Sequence, residues 1–240
     1  GRELTARIKV LAGCDISEKR LPQDGRHRFT QGSRDVDLRV NTLPTVYGEK
    51  TVMRILDRRQ NKVSLEQLGM LGQSLEWVHE AIRESHGMVL VTGPTGSGKT
   101  TTLYSVLDEI VTPEINISTV ENPVERAVEG VNQTQVNFKA GLDFGLCLRS
   151  LLRQDPDVVM LDAIRDTEPA AIAVEAALTG PTGLATPPTN DAPGAATRPT
   201  HIGVAPSPVS PTLGAAVAHR LARRPCAPRG RMGVPPHTRL

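Results

Sequence analysis

The apolar positions of this chain change their spacing several times, and each spacing predicts an element. Residues 4–12 carry a helical spacing, and segments 26–30, 36–41 and 51–56 read as strands separated by the turn signals Gln23-Asp24-Gly25 and Val46-Tyr47-Gly48. Polar residues 57–62 read as a linker and 63–70 as a docking segment. Over 74–85, Leu75, Val78 and Ile82 fall on one face of a helix. Beyond it strand and helix alternate: the apolar run Met88-Val89-Leu90-Val91, a helix over 100–110, extended chain over 115–120, a helix over 144–152, a strand over 158–161 and a helix over 169–178. Alternation of this kind predicts a mainly parallel sheet with helices on its faces. The alternating segment 131–136 reads as an antiparallel insertion.

After residue 180 the pattern thins. Seven of the 19 prolines precede that point and twelve follow it, and proline neither donates to a sheet ladder nor sits easily inside a helix. Little order is expected there beyond a short basic helix over 215–224, and 229–240 carries no readable pattern.

Charge is nearly balanced, with 28 basic and 26 acidic side chains, so the chain lacks the electrostatic footprint of a direct nucleic-acid binder. The six aromatic residues all precede residue 145, which removes stacking platforms for single-stranded bases from the rest. Cys14, Cys147 and Cys226 are odd in number and far apart, so no disulfide framework and no zinc site is expected, and a reducing cytoplasm fits. No run approaches the length of about 18 apolar residues that spans a bilayer.

The most specific local signal is Gly93-Pro94-Thr95-Gly96-Ser97-Gly98-Lys99-Thr100, a complete G-x-x-x-x-G-K-[ST] loop between a predicted strand and a predicted helix. Glycines there let successive N–H groups and a helix N-terminus converge on phosphate oxygens. Gly93 to Thr101 are the nucleotide-binding candidates, Lys99 reaching the β and γ phosphates and Thr100 ligating Mg²⁺ of an ATP complex. The run Val158-Val159-Met160-Leu161-Asp162 ends a strand in a carboxylate, a second candidate Mg²⁺ residue; an ordinary strand followed by an acidic helix cap is the alternative. Thr119-Val120-Glu121-Asn122-Pro123-Val124-Glu125 delivers two glutamates to the C-terminal end of the preceding strand, Glu121 the better placed to orient water. Each glutamate is otherwise an idle surface charge.

Together with Arg20-Leu21-Pro22-Gln23-Asp24-Gly25-Arg26, Asp37-Leu38-Arg39-Val40-Asn41-Thr42-Leu43-Pro44-Thr45, Tyr47-Gly48-Glu49-Lys50, Leu152-Arg153-Gln154-Asp155-Pro156-Asp157 and Ile164-Arg165-Asp166, these motifs closely resemble the ATPases of type II secretion and type IV pilus assembly, over residues 5–225. The resemblance implies an α/β fold, with a small PAS-like α/β domain over 1–60, a linker and docking segment over 61–73, a RecA-like P-loop ATPase domain over 74–225 and an irregular tail over 226–240. It also implies a hexameric, cytoplasmic motor, peripheral at the inner membrane through a platform protein. Glu121 and Glu125 become an acidic box, and Arg26 and Arg39 reach phosphate and stabilise charge in the transition state. Pairing of those arginines with local carboxylates is the alternative.

The departures bear on activity. The family strand ends Gly-Glu where this chain has Asp162-Ala163, so the water-orienting glutamate is absent while Asp162 still offers a metal ligand. Loss of a positioned base costs about a hundred- to ten-thousandfold in rate. The family's two box histidines correspond to Pro181 and Pro188, and prolines in that strand are expected to break the sheet locally. Cys226 matches the first position of a tetracysteine zinc element whose remainder is missing. The expectations are a motor with impaired hydrolysis, a nucleotide-binding but inactive scaffold, or a motor for DNA uptake or pilus retraction.

Overall fold

In the computed structural model, which describes residues 1–31, 34–57, 62–164 and 166–223, the chain divides into two compact units. The first comprises residues 1–61 with Glu125–Ala127 grouped to it, and the second comprises Lys62–Val124 and the chain from Val128 onward. Most of the predicted linker, Arg165, Cys226 and the tail lie outside the described residues.

The first unit is one helix, α1 (Arg2–Leu11), against a three-stranded antiparallel sheet of β1 (Gln23–Gln31), β2 (Arg34–Thr45) and β3 (Gly48–Asp57) in that order. Its small core holds Ala12 and Val40 together with Thr42 and the unusual buried cation Lys9. Lys9 Nζ donates to the Glu18 carbonyl at 2.7 Å and pairs with the Glu49 carboxylate, so the buried charge is compensated. The chain after α1 lies so close to β1 that a Cβ on Gly25 would stand 2.4 Å from the Ala12 carbonyl oxygen.

The second unit opens with α2 (Gln73–Arg83) and then alternates β4 (Gly87–Thr92), α3 (Lys99–Ile110), β5 (Ile117–Glu121), β6 (Val131–Gln135), α4 (Phe144–Leu151), β7 (Val158–Leu161), α5 (Thr167–Thr179), β8 (Thr182–Ala185), α6 (Ala192–His201), α7 (Pro206–Thr212) and β9 (Leu213–Ala218). The six strands form one sheet in the order β6-β5-β7-β8-β4-β9, every pairing parallel. Alternate residues of β4 serve two cores: Met88 and Leu90 pack with Leu148, Leu161 and Val174, while Val89 and Val91 pack with Leu103, Leu107, Val78 and Ile82. Leu65 and Met70 insert into the second of these cores.

Three expectations are corrected. β6 pairs parallel with β5, from Ile117↔Val131 to Glu121↔Gln135, rather than antiparallel. It is an edge strand and half exposed, and that exposure produces the alternation that resembles an antiparallel insertion. The described part of the predicted helix, residues 215–223, is not helical; the alanines of β9 lie along the open side of β4, where ladder hydrogen bonds outweigh their helical preference. Prolines also do not interrupt the sheet. Pro181 precedes β8 and Pro187 and Pro188 follow it, and the strand pairs with both β4 and β7 over Thr182–Ala185. Regular elements continue as far as Ala218: Pro193 and Pro206 stand in the first turns of α6 and α7, where no backbone donor is required, and the Asp191 side chain caps α6 by accepting from Gly194 N, whereas Pro199 and Pro211 lie inside those helices and each removes one backbone donor.

Candidate functional site

With every strand of the large sheet parallel, the segments that leave its C-terminal edge gather on one side. The glycine-rich loop leaves β4 there, Asp162 leaves β7, Thr186–Thr189 leave β8 and His219 leaves β9.

The loop has the backbone its glycines make possible. Gly93, Gly96 and Gly98 take φ of +142°, +77° and +97°, and Gly98 caps the N-terminus of α3. At Gly93 a Cβ would meet the His219 carbonyl oxygen at 2.5 Å and Ser97 Oγ at 2.6 Å, so the site requires a bare backbone. Lys99 Nζ donates to the carbonyls of Gly93 and Pro94 at 2.9 and 3.0 Å, folding the side chain back over the loop. Burial holds its ammonium below the ordinary lysine value, and the Asp162 carboxylate opposes that shift. Ser97 Oγ is buried without a hydrogen-bond partner among the described residues. Positive-φ glycines, a helix N-terminus, a lysine over the loop and an unsatisfied buried hydroxyl together fit a phosphate chain.

Thr100 Oγ1 donates to Asp162 Oδ1 at 3.5 Å. One hydroxyl and one carboxylate are too few to hold Mg²⁺ alone, but they fit an ion whose remaining ligands are phosphate and water oxygens. A cavity of about 440 Å³ adjoins them, lined among others by Asn122, Asp143, Asp162, Ala163 and Glu168.

The segment after β8 braces this edge. Thr92 Oγ1 donates within a cluster formed by the Pro187 and Thr189 carbonyls and Thr189 Oγ1, Gly93 N donates to Thr189 O at 3.0 Å, and Thr186 Oγ1 donates to the Asp162 carbonyl. From the other side His219 N donates to Thr92 O at 2.8 Å, and its ring lies 3.4 Å from Thr102 Oγ1.

The two glutamates part company. Glu121 is wholly buried: Thr119 Oγ1 and Gln133 Nε2 donate to Oε1 at 2.5 and 3.0 Å, and Tyr104 Oη donates to Oε2. Orienting a water would require one of these donors to give way. Glu125 is exposed and belongs to the first unit.

Arg26 and Arg39 are direct cross-strand partners, and Arg54 stands opposite Arg39 on its other side, making a row of guanidiniums across one face of the small sheet. Burial and then the charges of Arg26 and Arg54 hold the Arg39 guanidinium below its ordinary value, with Glu125 and Asp37 opposing. Sequence reasoning missed Arg54, yet the turn residues carried the signal. Counting six residues back from Thr45 and six forward from Gly48, which pair at the turn, reaches Arg39 and Arg54. The bracing by Thr186, Thr189 and His219 had no comparable signal.

Comparison with known proteins matches residues 1–235 to the family model described as Type II/IV secretion system protein. The chain is 52% identical over 223 residues to a putative type II secretion system protein E of Escherichia coli, covering 93% of this chain and 45% of that protein. It is 51% identical over 219 residues to the type IV pilus assembly ATPase PilB of Thermus thermophilus, covering 91% of this chain and 25% of that one. It thus spans less than half the length of these relatives. Among solved structures it is similar to the pilus retraction motor PilT with bound ADP, with a TM-score of 0.64 and 31% identity over 76% of this chain and 52% of that one. The fold alone is shared with the ATPase DotB of Legionella pneumophila, with a TM-score of 0.66 and 23% identity over 80% of this chain and 56% of that one. The architecture is therefore RecA-like, and the chain belongs to the type II/IV secretion system protein family.

Proposed function

We propose that the chain binds Mg²⁺ and ATP and is the nucleotide-handling part of a motor subunit for type II protein secretion or type IV pilus assembly. The observation that carries this reading is the glycine loop with Lys99 folded over it and Thr100 against Asp162. Backbone N–H groups of residues 93–101 and the N-terminus of α3 would hold the phosphates. Lys99 would exchange its two loop carbonyls for phosphate oxygens, while Thr100 and Asp162 would share the metal. The bound nucleotide supplies the phosphoanhydride bond whose cleavage powers movement. The row of Arg26, Arg39 and Arg54 is suited to a polyphosphate, since three like charges in register are relieved by an anion. Glu125 would tune that row, and Glu121 would orient water once freed from its donors.

The motor is proposed to act as a hexamer at the cytoplasmic side of the inner membrane, engaging a platform protein. No helix among the described residues is long and apolar enough to cross a membrane, which accords with attachment through that partner. A second reading is favoured by Ala163, which places a methyl group beside the cavity next to Asp162: an inactive nucleotide-binding scaffold. A retraction or DNA-uptake motor draws on the likeness to PilT.

The test pairs ATP affinity by calorimetry with phosphate release, using Lys99→Ala as control. Mg²⁺-dependent binding with release, both lost in the variant, supports the motor. Binding without release supports the scaffold, and absence of binding defeats both.

A further inference from the structure

The buried carboxylate of Glu121 joins three elements: Tyr104 of α3, Thr119 of its own strand β5, and Gln133 of the edge strand β6. Glu121 and Thr119 have no exposed surface and Tyr104 is 3% exposed, so the Tyr104 and Thr119 hydrogen bonds form away from water, where losing one donor is costly, while the Gln133 bond is only partly buried. Tyr104 stands five residues beyond Lys99 on the same helix, and that helix is capped by Gly98 of the loop. At its first turn Lys99 Nζ engages the Gly93 and Pro94 carbonyls. A phosphate taken by Lys99 must displace those contacts, and an α-helix transmits a shift at its first turn along its length as a stiff body.

We propose that Tyr104 is a positioning residue that keeps Glu121 in a stored position, and that nucleotide in the glycine loop is relayed through α3 to the Tyr104–Glu121 hydrogen bond. The inference rests on the nucleotide reading of the loop. The network serves as more than core filling because it ties the one helix that begins in the loop to the strand end that precedes the acidic stretch 121–125. Loosening the Tyr104 bond frees one carboxylate oxygen while Thr119 and Gln133 retain the other.

The chain has two tyrosines, and Tyr47 is 99% exposed, so Tyr47→Phe leaves Tyr104 as a single reporter without touching the network. With ¹³C at the tyrosine carbon bearing the hydroxyl, its resonance reads that hydrogen bond directly. Titration with Mg·ATP is expected to shift the resonance with the same saturation that calorimetry gives for binding, and the shift is expected to vanish in the Lys99→Ala background. An unmoved resonance at saturating nucleotide overturns the relay while leaving the nucleotide reading intact; absence of binding overturns both. Tyr104→Phe provides a second readout. Its nucleotide affinity should stay within about threefold of the parent, while the nucleotide-induced change in amide exchange across β5 and β6 is lost. A merely structural tyrosine would instead raise exchange there equally with and without nucleotide, and that result would also overturn the proposal.

Discussion

Arg39 of β2 faces Arg54 of β3 directly across the antiparallel pairing, with Arg26 of β1 on its other side. Like charges in directly opposed positions destabilise a sheet, so a protein that keeps three of them in register is expected to use them on an anion. Arg54→Gln should raise stability by about 0.5 kcal/mol in phosphate-free buffer and reduce the stabilisation given by tripolyphosphate. Thermal melting with and without tripolyphosphate checks both halves, and a row used only for local pairing would show neither.

Gly93→Ala places a methyl group against the His219 carbonyl and Ser97 Oγ at a backbone angle hostile to side chains. The expected cost is about 1–3 kcal/mol, together with loss of nucleotide binding, because both the loop and the end of β9 must move. Gly96→Ala keeps the angle penalty but meets no neighbouring atom within 4 Å, so it should be the milder variant in denaturant melts.

Burial holds the His219 imidazole below its ordinary value of 6.5. Above that value the ring is neutral in both folded and unfolded chains and contributes no pH dependence. As pH falls through it, the unfolded chain takes up a proton that the folded ring resists, so stability decreases until the lower folded value is reached. Melting curves between about pH 7 and pH 5 should show this loss, and His219→Gln should flatten part of it.

Ala163 borders the cavity beside Asp162, which gives a longer side chain room to enter without displacing the core. If the nucleotide reading holds, Ala163→Glu should increase phosphate release by about a hundredfold or more while ATP affinity changes little. Steady-state release assays with matched binding isotherms separate a restored base from tighter binding.

Much of the fold was legible before the structure because its signals are local. The run Met88–Val91 is apolar at every position since both faces of β4 are covered, and the glycines at 93, 96 and 98 mark backbone angles that other residues avoid. Those two facts locate the phosphate cradle without any tertiary information. The errors fell where a neighbour decides: β9 has helix-forming residues but lies on an open strand, and β6 alternates because it is an edge.

By itself, then, the sequence determined the loop, the strand and helix that flank it, and the carboxylate at the end of β7, because each is set by the chemistry of a few adjacent residues. Tertiary structure alone decided which distant residues meet: Thr100 with Asp162, Thr189 and His219 with the start of the loop, and Tyr104 with Glu121. Partnership across a sheet depends on strand order and register, and those are settled by the burial of whole faces rather than by any residue's own preference.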